Sequence, residues 1–324
     1  MINCESMSRR TVAVKCQPRD FALLRDLFVS RIMTLAHVAA LHFDGRGEAA
    51  KKRVQKLKAA GFIAERARRA WEPGILFLTK RGFDLLTTGG HLSEYPRLSA
   101  TTFERRARVS DLTLRHELEV MDAKAALAPA ISRISGMTVV EFNTWPILCQ
   151  FDVQPRGRPR VRVKPDGLIR VEERTPGGEV YEHSFFLEID RGTETLDTLA
   201  LRSICYREHY SSGGFAASFG ASRTAYTEYP FRVLMVFPSE ERRNNLTERL
   251  LAVNPPIETL IWLTTVTDLA TDALGPVWIR PRDYRAAFEG DDVALFRKRT
   301  NNKRRPERER LVRDKIEYSV LFKT

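Results

Sequence analysis

The chain has 324 residues, of which 43% are hydrophobic and 29% charged, so we expect about two folded domains and exclude a chain that is disordered throughout. The formal net charge of +12 is uneven: residues 1–110 hold 21 basic and 10 acidic side chains, residues 111–296 hold 21 and 27, and residues 297–324 hold 11 and 4. Cations concentrated at both ends favour a polyanionic partner.

Several classes of protein are excluded by what the sequence lacks. No apolar run approaches the roughly 18 residues that span a bilayer, and no signal-peptide core is present, so we expect a cytoplasmic protein without membrane contact. The four cysteines are scattered without a Cys-x-x-Cys pair, which argues against a disulfide framework and against structural zinc. The absence of a Gly-x-x-x-x-Gly-Lys motif excludes a phosphate-loop ATPase.

After an extension over residues 1–18, residues 19–92 carry the pattern of three short helices followed by a hairpin. Apolar residues recur at three-to-four spacing, Thr34 can cap the second helix, and Gly61 can end the third. The predicted elements are helices over 19–29, 35–43 and 48–60, strands over 62–66 and 75–79, and a helix over 81–86. Three helices and a hairpin in this order predict a winged helix-turn-helix domain.

The third of these helices has two chemically different faces. Ala50, Val54 and Leu57 share one face, and basic side chains occupy the other. A helix fits the major groove, lysines neutralise phosphates with release of counterions, and hairpin arginines can reach the DNA backbone or minor groove, so we predict duplex DNA as a partner. The predicted contacts are Lys51, Lys52, Arg53, Lys56, Arg66, Arg68 and Arg69. The alternative is a cationic face that is only solvated.

Residues 93–109 lack clean periodicity and are predicted to be a linker, whereas residues 110–290 carry the pattern of an α/β domain. The predicted elements are helices over 110–128, 195–210 and 239–253 and strands over 138–145, 160–171, 179–190, 231–237 and 259–263. The turn Thr175-Pro176-Gly177-Gly178 predicts that the second and third strands form a hairpin.

Acidic residues lie at the ends of the two strands of this hairpin. Pro165-Asp166-Gly167 interrupts the first of them, and Glu188-Ile189-Asp190-Arg191-Gly192-Thr193-Glu194 ends the second. Two carboxylates at adjacent strand ends can hold Mg²⁺ or Mn²⁺, which orients a water and neutralises charge on a scissile phosphate. Asp166 and Glu188 are the predicted metal ligands, and by alternation Asp190 shares a face of the sheet with Glu188.

Together with the helical segment Arg115-His116-Glu117-Leu118-Glu119-Val120 and the helix over 202–210, these motifs resemble the replication-relaxation family of plasmid and mobile-element proteins. The resemblance covers roughly residues 19–285. It implies a role in plasmid replication and DNA relaxation, and it implies a second domain similar to the PD-(D/E)xK nuclease fold.

The sequence departs from the nuclease pattern at one position, because Asp190 stands where a lysine is expected two residues after the glutamate. A cation could come instead from Lys164, Arg191 or Arg202. The predicted catalytic set is Asp166, Glu188, Asp190 and Arg202. The alternative is a degenerate nuclease fold in which Glu188, Asp190, Arg191 and Arg202 form an ion-pair network.

Residues 291–324 form a basic tail that we expect to be mobile, or to become helical only when it binds a partner. Its function is either nonspecific affinity for DNA or none beyond being a solvated tail. The leading hypothesis is a DNA-binding protein of a plasmid or mobile element that nicks DNA with Mg²⁺. The second is a non-catalytic regulator or relaxation-complex accessory, whose second domain grips DNA, contacts replication or relaxation proteins, or forms a homodimer. A third is an interaction module for an acidic protein or RNA.

Overall fold

The computed structural model describes residues 14–67, 72–288 and 316–322, and the chain divides into two units, residues 1–125 and residues 126–324. The first unit begins with helices and a small antiparallel sheet. Its elements are α1 (Pro18–Ser30), β1 (Ile32–Thr34), α2 (Leu35–His42), α3 (Gly47–Ala59), β2 (Ile63–Glu65), β3 (Ile75–Leu78), α4 (Lys80–Thr88), α5 (Ala100–Ala107) and the first part of α6 (Asp111–Ser132). The sheet has the order β1-β3-β2.

The helices of the first unit form where the apolar spacing predicts them. The stripe of α1, which includes Leu23 and Leu27, is fully buried, and so are Ala50, Val54 and Leu57 on one face of α3. Thr34 caps α2, since its hydroxyl accepts a hydrogen bond from the backbone N–H of His37. Strand β1 was not predicted, because three residues between two helices are too short to show alternation.

The segment 93–109 contains a helix, so the prediction of a plain linker is wrong there. Ser99 caps α5 by accepting from the backbone N–H of Thr102. Phe103 is 2% exposed and stacks on Phe83 with ring centroids 4.4 Å apart. The guanidinium of Arg106 donates to the carbonyl of Phe28. One buried side chain in eight residues gives no periodic signal, which is why the sequence pattern missed the helix.

The second unit is built on a mixed five-stranded sheet in the order β10-β9-β8-β7-β4. The strands are β4 (Met137–Asn143), β5 (Phe151–Val153), β6 (Val161–Val163), β7 (Gly167–Arg174), β8 (Val180–Ile189), β9 (Phe231–Phe237) and β10 (Ile261–Thr265). The helices are the rest of α6, α7 (Pro146–Cys149), α8 (Leu196–Ser211), α9 (Gly214–Ser218), a 3₁₀ helix (Arg223–Glu228), α10 (Glu240–Ala252), α11 (Val266–Thr271) and α12 (Pro281–Phe288). Strands β5 and β6 form a separate pair.

The pairing of this sheet follows from its connections. Strands β4, β7 and β8 are antiparallel neighbours, and the predicted hairpin between β7 and β8 is confirmed. Strands β8, β9 and β10 run parallel because helices connect them. The mixed α/β class is thereby confirmed. The strand predicted over 160–171 is divided into β6 and β7, with Asp166 at the break.

The core of the second unit lies between this sheet and α8. Phe186 on β8 contacts the rings of Tyr206, Phe215 and Phe231, with the shortest centroid distance, 5.0 Å, to Phe231. Each of these four side chains is at most 5% exposed. The aromatic cluster fixes α8 against the end of β8, where the acidic residues lie.

Residues 316–322 pack into the second unit, so the prediction of a mobile tail is wrong for this segment. Ile316, Leu321 and Phe322 are buried, and the ring of Phe322 meets that of Phe185 edge-on at 5.7 Å. Trp278 and Ser319 exchange backbone hydrogen bonds. Burial of three apolar side chains outweighs the charge of the surrounding sequence. The rest of the predicted basic tail, residues 291–315 and 323–324, lies outside the described residues.

Within the part of the chain that the structure describes, no helix is both long enough and apolar enough to cross a membrane.

Candidate functional site

Asp166 lies just before β7, near the end of β8 that carries Glu188. The register between these strands begins at Gly167, which pairs with Leu187. The backbone N–H of Asp166 also donates to the carbonyl of Leu187, at 3.0 Å, so the regular pairing does not extend to Asp166 and Glu188. One carboxylate oxygen of Asp166 accepts a hydrogen bond from the backbone N–H of Ile189 at 2.8 Å. We call Asp166 and Glu188 the carboxylate pair.

Helix α8 supplies two partners to Glu188, whose side chain is buried. The hydroxyl of Tyr206 donates to Oε1 of Glu188 at 2.5 Å, and Nη1 of Arg202 lies 3.2 Å from Oε2. Arg202 and Tyr206 are four residues apart and therefore share a face of the helix. Arg202 also pairs with Glu194 at 2.7 Å. Of the cations considered from the sequence, Arg202 is brought to Glu188 of the carboxylate pair.

The electrostatics of the pair are unfavourable to two full negative charges. Burial, and then the charge of Asp166, raise the pKa of Glu188 to about 8, while Arg202 and the hydrogen bond from Tyr206 act in the opposite direction. Burial and the charge of Glu188 also raise the pKa of Tyr206 well above its usual value. A buried phenol that donates to a carboxylate is a positioning group, so Tyr206 is not a nucleophile.

Asp190 is held apart from the carboxylate pair. Strand β8 ends at Ile189, and both carboxylate oxygens of Asp190 accept from the guanidinium of Arg242 on α10, with Nη2 3.0 Å from Oδ1. The backbone N–H of Gly192 donates to the same carboxylate. The structure thus gives Asp190 a partner of its own, where alternation predicted that it would join Glu188. Lys164 is exposed.

Arg242 was missed by sequence reasoning. It lies 52 residues after Asp190, at the first turn of a helix capped by Ser239, and no local pattern links the two positions. The order of strand β9 followed by α10 is the only sequence signal that could have placed it near the end of β8.

The donor set at the carboxylate pair fits a hard divalent cation that is completed by a substrate. Among the described residues, no three or more histidine, cysteine, aspartate and glutamate side chains are grouped so as to hold a metal ion. Mg²⁺, however, is often bound by one or two carboxylates together with waters and substrate phosphates. Asp166 and Glu188 are the residues that could hold it.

The predicted DNA contacts on α3 fall into two groups. Lys51, Lys52, Lys56 and Lys58 are exposed and form what we call the cationic face. Lys51 lies 3.8 Å from Glu48, and Lys58 pairs with Glu65. Within the described residues, Lys52 and Lys56 have no carboxylate partner.

The side chain of Arg53 contacts helix α1 and is directed away from the cationic face. Its Nε donates to Oδ1 of Asp20 at 2.7 Å, its Nη2 donates to the other oxygen of the same carboxylate and to the carbonyl of Lys15, and Asp20 is 1% exposed. Capping box geometry at Gln17 uses Asp20 as well. Arg53 therefore stabilises the start of α1, and its guanidinium is not part of the cationic face.

The hairpin arginines are only partly described. Arg66 donates to the carbonyl of Val109 at 2.8 Å and pairs with Asp111 at 2.5 Å, so it is engaged within the first unit. Arg68 and Arg69 lie outside the described residues.

The fold and these two regions define an α/β protein with a cationic helix in one unit and, in the other, a carboxylate pair of which Glu188 is buried. The chain belongs to the replication-relaxation family, whose model matches residues 24–221. The matched segment includes α3, the carboxylate pair and Arg202, and it ends before Arg242. Membership points to a role in replication or relaxation of a plasmid or mobile element. No curated protein and no solved structure matches the chain.

Proposed function

We propose that the chain binds duplex DNA through its first unit and nicks it at the carboxylate pair of its second unit, in replication or relaxation of a plasmid or mobile element. The observation that carries the proposal is the closeness of Asp166 and Glu188: the backbone N–H of Ile189, the residue after Glu188, donates to the carboxylate of Asp166, and Arg202 pairs with Glu188. Two hard oxygen ligands and a cation next to one strand end are the groups that phosphodiester cleavage needs.

The order of elements in the first unit supports the DNA-binding part. Helix α1, strand β1, helices α2 and α3, and then the β2–β3 hairpin follow the order of a winged helix-turn-helix, in which the third helix enters the major groove. Lys52 and Lys56 project from that helix and have no carboxylate partner among the residues that the structure describes, so they are available to neutralise phosphates.

The chemistry divides between the cation and the protein. Mg²⁺ or Mn²⁺, when bound, supplies water activation and charge neutralisation at the phosphate. Asp166 and Glu188 would hold the cation, Tyr206 would fix the orientation of Glu188, and Arg202 would supply positive charge where the nuclease pattern has a lysine. Asp190, being paired with Arg242, supports the end of β8 and is not a ligand in this proposal.

The test is nicking of supercoiled plasmid by the full chain with Mg²⁺ or Mn²⁺. Asp166→Asn and Glu188→Gln should abolish nicking, and Arg202→Met should reduce it. Glu172→Gln removes a carboxylate from the same strand β7 without touching the pair, and it should retain full activity. Nicking that survives in both Asp166→Asn and Glu188→Gln would contradict the proposed site.

A second candidate function is a non-catalytic DNA-binding protein with a degenerate nuclease fold. The observation that favours it is the engagement of both oxygens of Glu188, by Tyr206 and by Arg202, together with the replacement of the expected lysine by Asp190. In that case the wild-type chain binds duplex DNA but leaves supercoiled plasmid intact with either cation. The same plasmid experiment therefore separates the two functions.

A further inference from the structure

A pocket of about 630 Å³ opens at the beginning of strands β8, β9 and β10, at the other end of β8 from the carboxylate pair. Ser184 of the pocket precedes Glu188 by four residues on one strand, a rise of about 13 Å. Four guanidinium groups line the cavity, together with the rings of Tyr210 and Trp262. We call this the arginine pocket, after Arg207, Arg232, Arg280 and Arg282.

The cations of the arginine pocket outnumber the anions available to them. Arg280 forms a two-point ion pair with Asp283, at 2.6 and 2.8 Å, and Arg282 lies 3.6 Å from the same carboxylate. Arg207 donates to the backbone carbonyl of Pro255. One carboxylate thus serves two arginines, and a neutral oxygen serves a third.

The carboxylates that line the cavity are already neutralised by arginines outside it. Glu182 accepts two hydrogen bonds from Arg170, at 2.9 and 2.8 Å, and Glu258 pairs with Arg285 at 2.6 Å. Neither acid is therefore left to balance the guanidinium groups of the pocket.

Arg232 is the central group of this pocket. It is half-buried, stacks over Trp262 at 5.2 Å, and has no hydrogen-bond or carboxylate partner within the described residues. Arg280 stacks on the same indole at 5.4 Å, so two cations share one ring. Burial, and then repulsion from Arg280, lower the pKa of Arg232. Arg280 is balanced by Asp283, so among the described residues Arg232 is the guanidinium at this indole that is left without an anion.

We propose that the arginine pocket binds a phosphate group, carried either by a free nucleotide or by a DNA strand. Guanidinium groups recognise phosphate by paired hydrogen bonds, and Arg232 has its donors available for them. The volume exceeds that of a lone phosphate and lies in the range of small-ligand sites. Tyr210, whose hydroxyl has no partner in the described chain, adds a further donor at the wall. Phosphate binding in the arginine pocket goes beyond the proposed nicking function, because the pocket contains none of the residues assigned to nicking.

The test is calorimetric titration of the full chain, in EDTA, with AMP and separately with a short thymidine oligonucleotide. Without a divalent cation the nicking site does not contribute, so this result is independent of the proposed function. Binding of AMP assigns the pocket to free nucleotides, and binding of the oligonucleotide alone assigns it to the phosphodiester backbone. Either outcome supports the proposal if the measured affinity depends on Arg232.

The dependence is read from matched variants. Arg232→Met should weaken binding about tenfold or more, since it removes a charge-assisted contact while keeping an apolar stem on Trp262. Arg207→Gln should weaken it in the same direction. Arg174→Met removes an exposed arginine from the end of β7 and should change affinity less than about twofold, the change expected of a screened surface charge.

Stability gives an independent readout. Arg232→Met should not lower Tm, because the wild-type charge is half-buried and lies beside another cation. The proposal is overturned if wild type binds neither probe, if Arg174→Met weakens binding as much as Arg232→Met, or if Arg232→Met lowers Tm and thus reveals a packing role.

Discussion

Helix α3 and the end of β8 each hold two kinds of charged side chain. On α3, Arg53 is bound to the buried Asp20, while Lys52 and Lys56 project from the surface and have no carboxylate partner in the described part of the chain. At the end of β8, Asp190 is bound to Arg242, while Glu188 pairs with Arg202, and burial and then the charge of Asp166 raise its pKa. Neighbouring residues of the same charge thus differ in their surroundings: Arg53 and Asp190 each have one opposite charge as partner, whereas the two lysines lack one and Glu188 lies near a second carboxylate.

Structural and functional charges respond differently to substitution. A balanced buried pair costs stability when one partner is removed, because the other is left buried and unpaired. An unbalanced charge costs little when it is removed, or even stabilises the fold, and its loss is felt by the ligand. Each prediction below alters one member of these two groups.

The largest effect is expected for Arg53→Met. It leaves the carboxylate of Asp20 buried without its cation, and we expect a loss of about 3–5 kcal/mol in the free energy of unfolding of the first unit. Urea unfolding followed by circular dichroism measures it, with Lys52→Met as the control that should change little. If both variants unfold at the same urea concentration, Arg53 is not a structural residue.

Arg242→Met should cost somewhat less, about 2–3 kcal/mol, because Asp190 is 9% exposed, against 1% for Asp20, and is therefore less completely removed from water. The double variant Arg242→Met, Asp190→Asn should recover part of the loss, since it removes both charges. Thermal unfolding of the single and double variants checks this. A double variant less stable than either single one would show that the ion pair is not the source of the effect.

Glu188→Gln should stabilise the fold at high pH, whereas the two preceding variants destabilise it. The pKa of Glu188 is raised in the folded state to about 8, so the folded chain keeps a proton that the unfolded chain loses above about pH 4.5. The stabilisation that this bound proton provides is complete below pH 4.5 and is lost as the pH rises to about 8. Relative to wild type, Glu188→Gln should gain stability as the pH rises from 5 to 8, by up to about 1.4 kcal/mol per pH unit.

Tm measured against pH for wild type and Glu188→Gln tests this shift. Parallel curves over that range would mean that Glu188 ionises normally, and the repulsion from Asp166 would then be absent. Glu172→Gln serves as the matched control, since its curve should run parallel to that of wild type.

The smallest effect on stability is expected for the double change Lys52→Glu, Lys56→Glu, within about 0.5 kcal/mol of wild type. The effect of this double change on DNA binding is larger. Each phosphate contact contributes about 0.9 to the slope of log affinity against log salt, so the slope should fall by about 1.8. Fluorescence anisotropy of duplex DNA at several salt concentrations measures it, and an unchanged slope would make the cationic face a solvated surface.

The parts of the fold that the sequence predicted are those with repeated apolar spacing or a clear turn. Leu23, Leu27 and Val54 marked α1 and α3, and Pro176-Gly177 marked the β7–β8 hairpin, so Asp166 and Glu188 could be placed on adjacent strands. Arg202 was one of three cations expected to replace the missing lysine. These inferences use only neighbours in the chain.

The rest depends on contacts between distant residues. Nothing near Arg53 indicates that Asp20 binds it, and Asp190 finds Arg242 across 52 residues. Phe103 is a single buried residue and gave no periodic pattern that predicts α5. Leu321 and Phe322 follow a strongly basic segment, and that charge led to the prediction of a mobile tail. Ion pairs and isolated buried side chains are set by tertiary packing, which a local pattern does not encode.

The central claim is that Asp166 and Glu188 together form a site for a divalent cation. Mn²⁺ binding to the full chain, followed by the electron paramagnetic resonance signal of the free ion, tests it without requiring cleavage or DNA. Wild type and Glu172→Gln should bind Mn²⁺ alike, whereas Asp166→Asn and Glu188→Gln should each bind it about tenfold more weakly or worse. Equal binding by all four proteins would contradict the claim.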